Sequence, residues 1–269
     1  MGLAPDRSAG RATPGPRPRL VLSRLPAPPL ILGAVIIIGW AILAIDQPAY
    51  LLPSPVAVAQ RLFELTFVTG ELLDAFRLSL TALVLGAALA MFVGAPLGIA
   101  MGANRTVQEI FGPYVSGLYV APVSALTPLF VWWFGIGLEP RVATVFVFSA
   151  PVIALTCYRG ARETPRTLVE VARVFGASSR QVFTLTVIPN SIPYIVTALR
   201  LGLGRAIKGT VLAELVVSLT GLGLLLTGFS AAFDSASLLA VLFFLLIVGV
   251  VLQALIARIE VAIAPWRHP

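Results

Sequence analysis

Long apolar runs alternate with short polar ones along most of this chain. The apolar runs cover residues 30–45, 78–101, 115–134, 142–158, 192–217 and 238–257. An α-helix needs about 20 residues, mostly apolar, to cross the ~30 Å hydrocarbon core of a bilayer. Inside lipid, a helix satisfies its backbone polar groups within one segment. The pattern therefore predicts an all-α polytopic membrane protein with six transmembrane helices.

The connecting segments carry their own punctuation. Residues 46–77 are more polar and read as extracytoplasmic. There Ser54-Pro55 is an N-cap followed by a first-turn proline, opening an amphipathic helix through Val58, Leu62 and Leu65. In the second run Ala82, Gly86, Ala90, Gly94, Gly98 and Gly102 recur every fourth residue. Such a stripe lets another helix backbone come close. The third run holds Pro122 and Pro128, which predict a kink and freed carbonyls. The bend either lines a pathway or serves packing. Trp132 and Trp133 suit an interfacial belt.

The stretch from 163 to 189 differs from everything around it. It holds Glu163, Arg166, Glu170, Arg173 and Arg180. Thr164 reads as N-cap with Pro165 at the first helical position. Gly176 stands where a left-handed residue ends a helix. Ser178, with Gln181 three residues on, predicts a capping box opening a second helix.

Composition and charge agree with the apolar pattern and orient it. Of 269 residues, 58% are hydrophobic and 12% charged. Soluble domains carry roughly 25% charged residues, so lipid is the expected solvent. The net charge of +7 is spread between apolar runs rather than gathered in a basic domain, which argues against nucleic acid. With the N-terminus inside, thirteen of the nineteen basic residues lie on the inner side. They are Arg7, Arg11, Arg17, Arg19 and Arg24 in the tail, Arg105, Arg258, Arg267, and Arg159, Arg162, Arg166, Arg173 and Arg180 in the 159–189 loop. Only Arg61, Arg77 and Arg141 lie outside. The positive-inside rule then selects cytoplasmic N- and C-termini and a cytoplasmic 159–189 loop. Residues 1–29, rich in Pro, Gly and Arg, read as a disordered cytoplasmic tail, and 30–269 as the transmembrane domain. A cleaved leader would also have a basic start and an apolar middle, but the tail is long and no convincing small-x-small site follows, so a retained anchor span is expected. Cys157 is the one cysteine, so no disulfide framework or cysteine metal cluster forms within the chain.

The residues Glu170-Val171-Ala172-Arg173-Val174-Phe175-Gly176, then nine more, then Thr186-Val187-Ile188-Pro189, resemble the Glu-Ala-Ala…Gly…Ile-x-Leu-Pro signature of binding-protein-dependent ABC importer permeases. Val171, Thr186 and Ile188 depart from it by small or apolar exchanges. Leu52-Pro53-Ser54-Pro55, Thr127-Pro128-Leu129, Trp133-Phe134-Gly135, Ala213-Glu214-Leu215, Gly221-Leu222-Gly223 and Ala264-Pro265-Trp266-Arg267 are similar to other parts of the family pattern. The likeness covers roughly 50–267 and is closest to the nitrate, sulfonate and taurine permeases. It implies a type I importer permease fold in the cell inner membrane. It also implies a second permease copy in a homodimer, two cytoplasmic ABC ATPase subunits and an extracytoplasmic solute-binding protein. It makes the loop a coupling helix, with Thr164, Pro165, Leu168, Glu170, Ala172, Phe175 and Gly176 carrying ATPase contact and turn geometry.

The fifth run carries the remaining chemistry. Arg200, Arg205, Lys208 and Glu214 interrupt an otherwise apolar helix. A charge near mid-membrane costs at least ~2.5 kcal/mol, so such groups face a cavity, a partner or an interface. Arg200 is near the inner end and can snorkel. Arg205, Lys208 and Glu214, with Pro122 and Pro128, are the translocation-path candidates, and Lys208 lies nearest mid-membrane. A positive lining there favours a small anionic solute of the sulfonate or nitrate kind. Leu199-Arg200 and Ala213-Glu214-Leu215 resemble family positions, so the resemblance implies an architectural role for Arg200 and Glu214 ahead of a solute contact, and Lys208 is the better solute candidate. No GxxxxGK[ST] loop is present, and the lysine of the glycine-rich 202–210 segment precedes its glycine. No Ser-His pair, paired carboxylates or metal spacing stands out either, and the single histidine, His268, ends the chain. The expectation is a transport subunit without cofactor, metal or catalytic residues, driven by a partner's ATP hydrolysis. The alternative is a stand-alone secondary transporter or channel.

Overall fold

The computed structural model describes residues 28–217 and 220–263, so the tail before residue 28 and the C-terminal Ala264–Arg267 likeness lie outside the described residues. The elements are α1 (Pro28–Leu43), α2 (Pro55–Phe63), α3 (Glu71–Ala103), α4 (Arg105–Val120), α5 (Thr127–Phe134), α6 (Leu138–Arg162), α7 (Arg166–Val174), α8 (Ser179–Val182), α9 (Ile188–Val217), α10 (Gly221–Ala231) and α11 (Ser235–Ile263). Short π turns join α2 to α3 and α8 to α9, and no strand occurs among the described residues.

The small-residue stripe sets the centre of the fold. A Cβ on Gly86 would lie 2.5 Å from Val145 Cβ, one on Gly98 2.2 Å from the Ala154 carbonyl oxygen, and one on Gly102 2.5 Å from Ala161 Cβ. The numbers rise together on both helices, so α3 and α6 run parallel with their backbones nearly touching. Helix α9 crosses the same surface antiparallel, with Gly160 against Tyr194 and Gly202 against Ile153. Ala90, Ile153, Cys157 and Ala198 close this three-helix core.

Helices 71–103, 138–162, 179–216 and 235–258 are long and apolar enough to cross a membrane. The two other expected spans take different forms. The apolar helix Ile31–Leu43 is short. It leans on its neighbours through Trp40, which stacks on Phe243 at 5.7 Å and donates from Nε1 to the Pro53 carbonyl at 3.0 Å. The expected 115–134 span is bent by 93° between α4 and the segment Val123–Phe134. Parallel α3 and α6 require the chain between them to return across the layer, and this bent pair makes that return.

Several boundaries depart from the hydropathy pattern for local reasons. Helix α4 starts at Arg105 because Asn104 Oδ1 accepts the Thr106 N–H at 2.9 Å and caps a polar first turn. Pro122 sits at the break itself, with φ −72° and ψ 80°. Pro128 lies in the first turn of α5 and so starts a helix instead of kinking one. The Ser54 cap holds as read, accepting the Ala57 N–H at 3.2 Å.

On the α2 side an ionic clasp ties α2 to the start of α11. Arg61 Nη2 lies 3.0 Å from Asp234 Oδ2, its Nε donates to Ser237 Oγ at 3.0 Å, and Nη1 reaches Glu64 Oε2 at 2.8 Å. Burial pushes the Asp234 carboxyl up. Hydrogen bonds from the Ser237 hydroxyl and N–H, and from Arg61, outweigh it and hold the carboxyl below its ordinary value.

Candidate functional site

The loop helix α7 has no buried residue. Its apolar side chains are nevertheless large and grouped: Leu168 is 49% exposed, Val171 53%, Val174 85% and Phe175 86%. Leu168, Val171 and Phe175 stand at i, i+3 and i+7 on one side of the helix. An exposed apolar face of this kind marks an interaction surface. Glu170 is exposed beside it.

The loop is held stiffly from both ends. Gly176 adopts φ 80°, and the Gly176 and Ala177 N–H groups donate to the carbonyls of Arg173 at 2.9 Å and Ala172 at 3.0 Å. Ser178 and Gln181 form the reciprocal capping box. The helix they open is four residues long and runs through the π turn at Phe183–Val187 into α9. One nearly continuous helix thus joins the loop to the span.

Thr164 differs from its expected role. Helix α7 begins at Arg166 with Pro165 as its boundary residue and no side-chain cap. Thr164 is 9% exposed, and its Oγ1 accepts a hydrogen bond from Asn190 Nδ2 at 3.2 Å. The adjacent Glu163 carboxylate accepts a hydrogen bond from the Tyr194 hydroxyl. These two bonds clip the end of α6 to the start of α9. Asn190 and Tyr194 were missed in the sequence, where each is one polar group beside an apolar run.

The charges of α9 separate into two environments. Ala198, Ala206 and Ala213 are fully buried toward the core. Leu201, Arg205 and Lys208, spaced i, i+4 and i+7, lie on the open side. The Arg205 guanidinium sits over the Tyr119 ring of α4, 5.4 Å from its centroid. Lys208 is exposed.

Glu214 is enclosed, at 1% exposure. Its Oε2 lies 2.8 Å from Ser79 Oγ and accepts the Gly223 N–H at 3.1 Å. Ser79 Oγ also accepts the Leu222 N–H at 3.0 Å. Arg141, 7% exposed, places Nη1 3.6 Å from Glu214 Oε1 and anchors Nε on the Gly137 carbonyl at 3.0 Å. The carboxylate therefore seats the N-terminus of α10, where backbone amides and the helix dipole favour negative charge. Gly221 and Gly223 make room: a Cβ on either would fall 2.5 Å from Glu214 Oε1 or 2.4 Å from Glu214 Cβ. The Gly-Leu-Gly of the sequence is this seat. Ser79 and Arg141 escaped notice there. Arg141 looked like an ordinary outer-side cation, yet it is buried inside the first turns of α6.

Residues 94–265 match the family described as binding-protein-dependent transport system inner membrane component. The formylaminopyrimidine transport permease protein ThiX of Halalkalibacterium halodurans is 30% identical over 241 residues, spanning 89% of this chain and 95% of that protein. The taurine transport system permease protein TauC of Escherichia coli is 28% identical over 242 residues, 88% of each chain. The putative aliphatic sulfonates transport permease protein SsuC of Bacillus subtilis is 28% identical over 241 residues, 89% of this chain and 87% of that one. Among solved structures, an inward-facing conformation of the MetNI methionine ABC transporter superposes with a TM-score of 0.64 at 21% identity, covering 71% of this chain and 95% of that one.

Proposed function

Because the chain belongs to the family of binding-protein-dependent transport system inner membrane components, we propose that α7 is the lever through which a cytoplasmic ATPase drives this ABC importer permease. The chain is a multi-pass membrane transport subunit, and ATP hydrolysis resides in a separate subunit. That membership sets aside the stand-alone carrier. The observation that carries the proposal is the exposed apolar face of α7 on a loop clipped rigidly to two spans.

The mechanism follows from that stiffness. ATP binding closes a pair of partner ATPases gripping Leu168, Val171 and Phe175. A floppy loop would absorb the motion. Here α6 and α9 follow α7, because the Thr164–Asn190 and Glu163–Tyr194 bonds and the α8–α9 continuity leave no slack. Access then alternates across a homodimer of permease chains, with solute delivered by an extracytoplasmic binding protein. This reading places both termini and the 159–189 loop in the cytoplasm, in keeping with the arginine asymmetry.

The solute we infer is a small anion. Arg205 and Lys208 share the open side of α9, and two relatives are named for taurine and aliphatic sulfonates. Glu214 is enclosed, so its role on this reading is to position α10. Pro122 acts on the path by sitting at the bend after α4, and Pro128 by opening α5. The test is uptake of a sulfonate by the assembled transporter carrying Lys208→Gln. A marked rise in KM at normal assembly is expected. Unchanged uptake sinks the anion reading, and full ATPase coupling in a Leu168→Asp/Phe175→Asp variant sinks the lever.

A further inference from the structure

At the loop end of the bundle lies a cavity of about 600 Å³ that the transport mechanism leaves unused. Four elements meet around it: the end of α3 at Gly102, the start of α4 at Arg105 and Glu109, the end of α6 at Tyr158 and Arg162, and the first residue of α7, Arg166. Its lining is mostly polar. Three guanidiniums face one carboxylate, Glu109, whose Oε1 is taken by Arg105 Nε at 2.8 Å. Arg162 donates to the Tyr158 hydroxyl and lies 5.7 Å from that ring's centroid, which holds its fork at the rim. Among the described residues no carboxylate pairs with Arg162 or Arg166.

We propose that this cavity binds a phosphate-bearing anion, and that occupancy ties the start of α7 to the ends of α3, α4 and α6. Arginine forks match the oxygens of an oxyanion two at a time, which an apolar ligand would not exploit, and a phosphate offers three such oxygens and the larger charge. Two uncompensated positive charges ask for an anion of comparable charge. A basic recess between span ends at the inner membrane surface fits the headgroup of an anionic lipid, and a soluble phosphate presents the same chemistry. The consequence is regulatory. Arg166 opens the lever helix, so a bound phosphate stiffens the joint between lever and spans, and the anionic lipid content of the membrane then sets how tightly ATP hydrolysis is coupled.

The placement at the inner surface rests on the orientation proposed above, and the test reads the two separately. The full chain is placed in nanodiscs of phosphatidylcholine with and without phosphatidylglycerol, and retained lipid is counted by native mass spectrometry. The Arg105→Gln/Arg162→Gln/Arg166→Gln variant is compared with wild type, and Arg77→Gln serves as an exposed control at the other end of the bundle. Each arginine removed is expected to weaken retention about 5-fold, roughly 100-fold for all three, with Arg77→Gln unchanged. Helical content and melting temperature confirm folding, since the three side chains lie at the surface. If phosphatidylglycerol retention ignores the arginines, but inorganic phosphate binds wild type in phosphatidylcholine discs and not the triple variant, the site stands with a soluble occupant. If the triple variant matches wild type for both probes, or wild type binds neither, the proposal falls. That result also covers an acidic segment of the ATPase as the occupant. Maleimide labelling of a Ser178→Cys chain in cells and in inverted vesicles reports the orientation independently.

Discussion

Replacing Glu214 with alanine tests whether the enclosed carboxylate holds the α10 end of the bundle together. Glu214 and Arg141 are 1% and 7% exposed and face each other at 3.6 Å. Removing one partner of a buried pair strands the other charge, at about 3–5 kcal/mol. The Gly223 N–H also loses its acceptor, worth about 1–3 kcal/mol where the group stays dry. The two terms overlap, because the void left by the side chain admits water near Gly223. A net loss of about 4 kcal/mol is expected. Glu214→Gln keeps the shape and an acceptor for the Gly223 N–H but strands the Arg141 charge all the same, so a loss of about 3 kcal/mol is expected, the low end of the stranding cost. In an Arg141→Met background no cation is stranded, and Glu214→Ala is expected to cost about 2 kcal/mol less than in wild type, within the range of coupling between contacting residues. The measurement is reversible SDS denaturation in mixed micelles, followed by tryptophan fluorescence. An additive cycle, with Glu214→Ala costing the same in both backgrounds, would refute the reasoning, as would a Glu214→Ala chain as stable as wild type.

Gly98→Ala forces a methyl to within 2.2 Å of the Ala154 carbonyl oxygen, so α3 and α6 must separate, and a loss of about 1–3 kcal/mol is expected in the same micelle assay. Gly39→Ala on α1, where nothing lies within 4 Å, is the neutral control. Gly176→Val meets no clash but holds φ 80°, a strain of about 1–2 kcal/mol, whereas Gly176→Asn tolerates that backbone. Uptake per ATP hydrolysed is expected to fall in the valine variant only, and equal behaviour of the two would rule out a backbone cause. The Asp234 carboxyl sits below its ordinary value, so the unfolded chain binds its proton more readily than the folded one. The stability it contributes is complete above about pH 4 and drains away as pH falls through the lowered folded value. Asp234→Asn is expected to flatten that part of a melting-temperature profile, and an unchanged profile would show that the Arg61 clasp does not titrate.

What could be read along the chain shares one feature: its cause lies within a few residues. The apolar runs locate the long helices because lipid acts on composition. Ser54, Gly176 and the Ser178–Gln181 box were legible because a cap acts on the next turn. The four-residue stripe of α3 announced a close helix contact, though its partner, α6, was not named. Boundaries failed where a polar helix turn lies outside the apolar run, as at Arg105–Glu109 and Glu71–Arg77. The Thr164 reading failed by the same logic. A threonine before a proline has the chemistry of a cap, but its hydrogen-bond partner, Asn190, comes from 26 residues away.

The candidate site divides along the same line. Arg205, Lys208 and Glu214 were found as charges out of place, but whether each faces outward or inward depends on what α3, α6 and α10 put around them. Ser79 reaches Glu214 across 135 residues and Leu222 across 143, distances over which no sequence period carries information. The sequence alone determined that this is a membrane-spanning, all-helical subunit with a polar hinged loop, because solvent preference and backbone capping are properties of short segments. The folded chain alone reveals that the segment between α3 and α6 turns through 93°, that Glu214 seats a helix end, and that the loop is clipped to both α6 and α9. Those outcomes depend on which surfaces meet, and packing between distant helices settles that, since each buried polar group takes whatever partner the fold brings within reach.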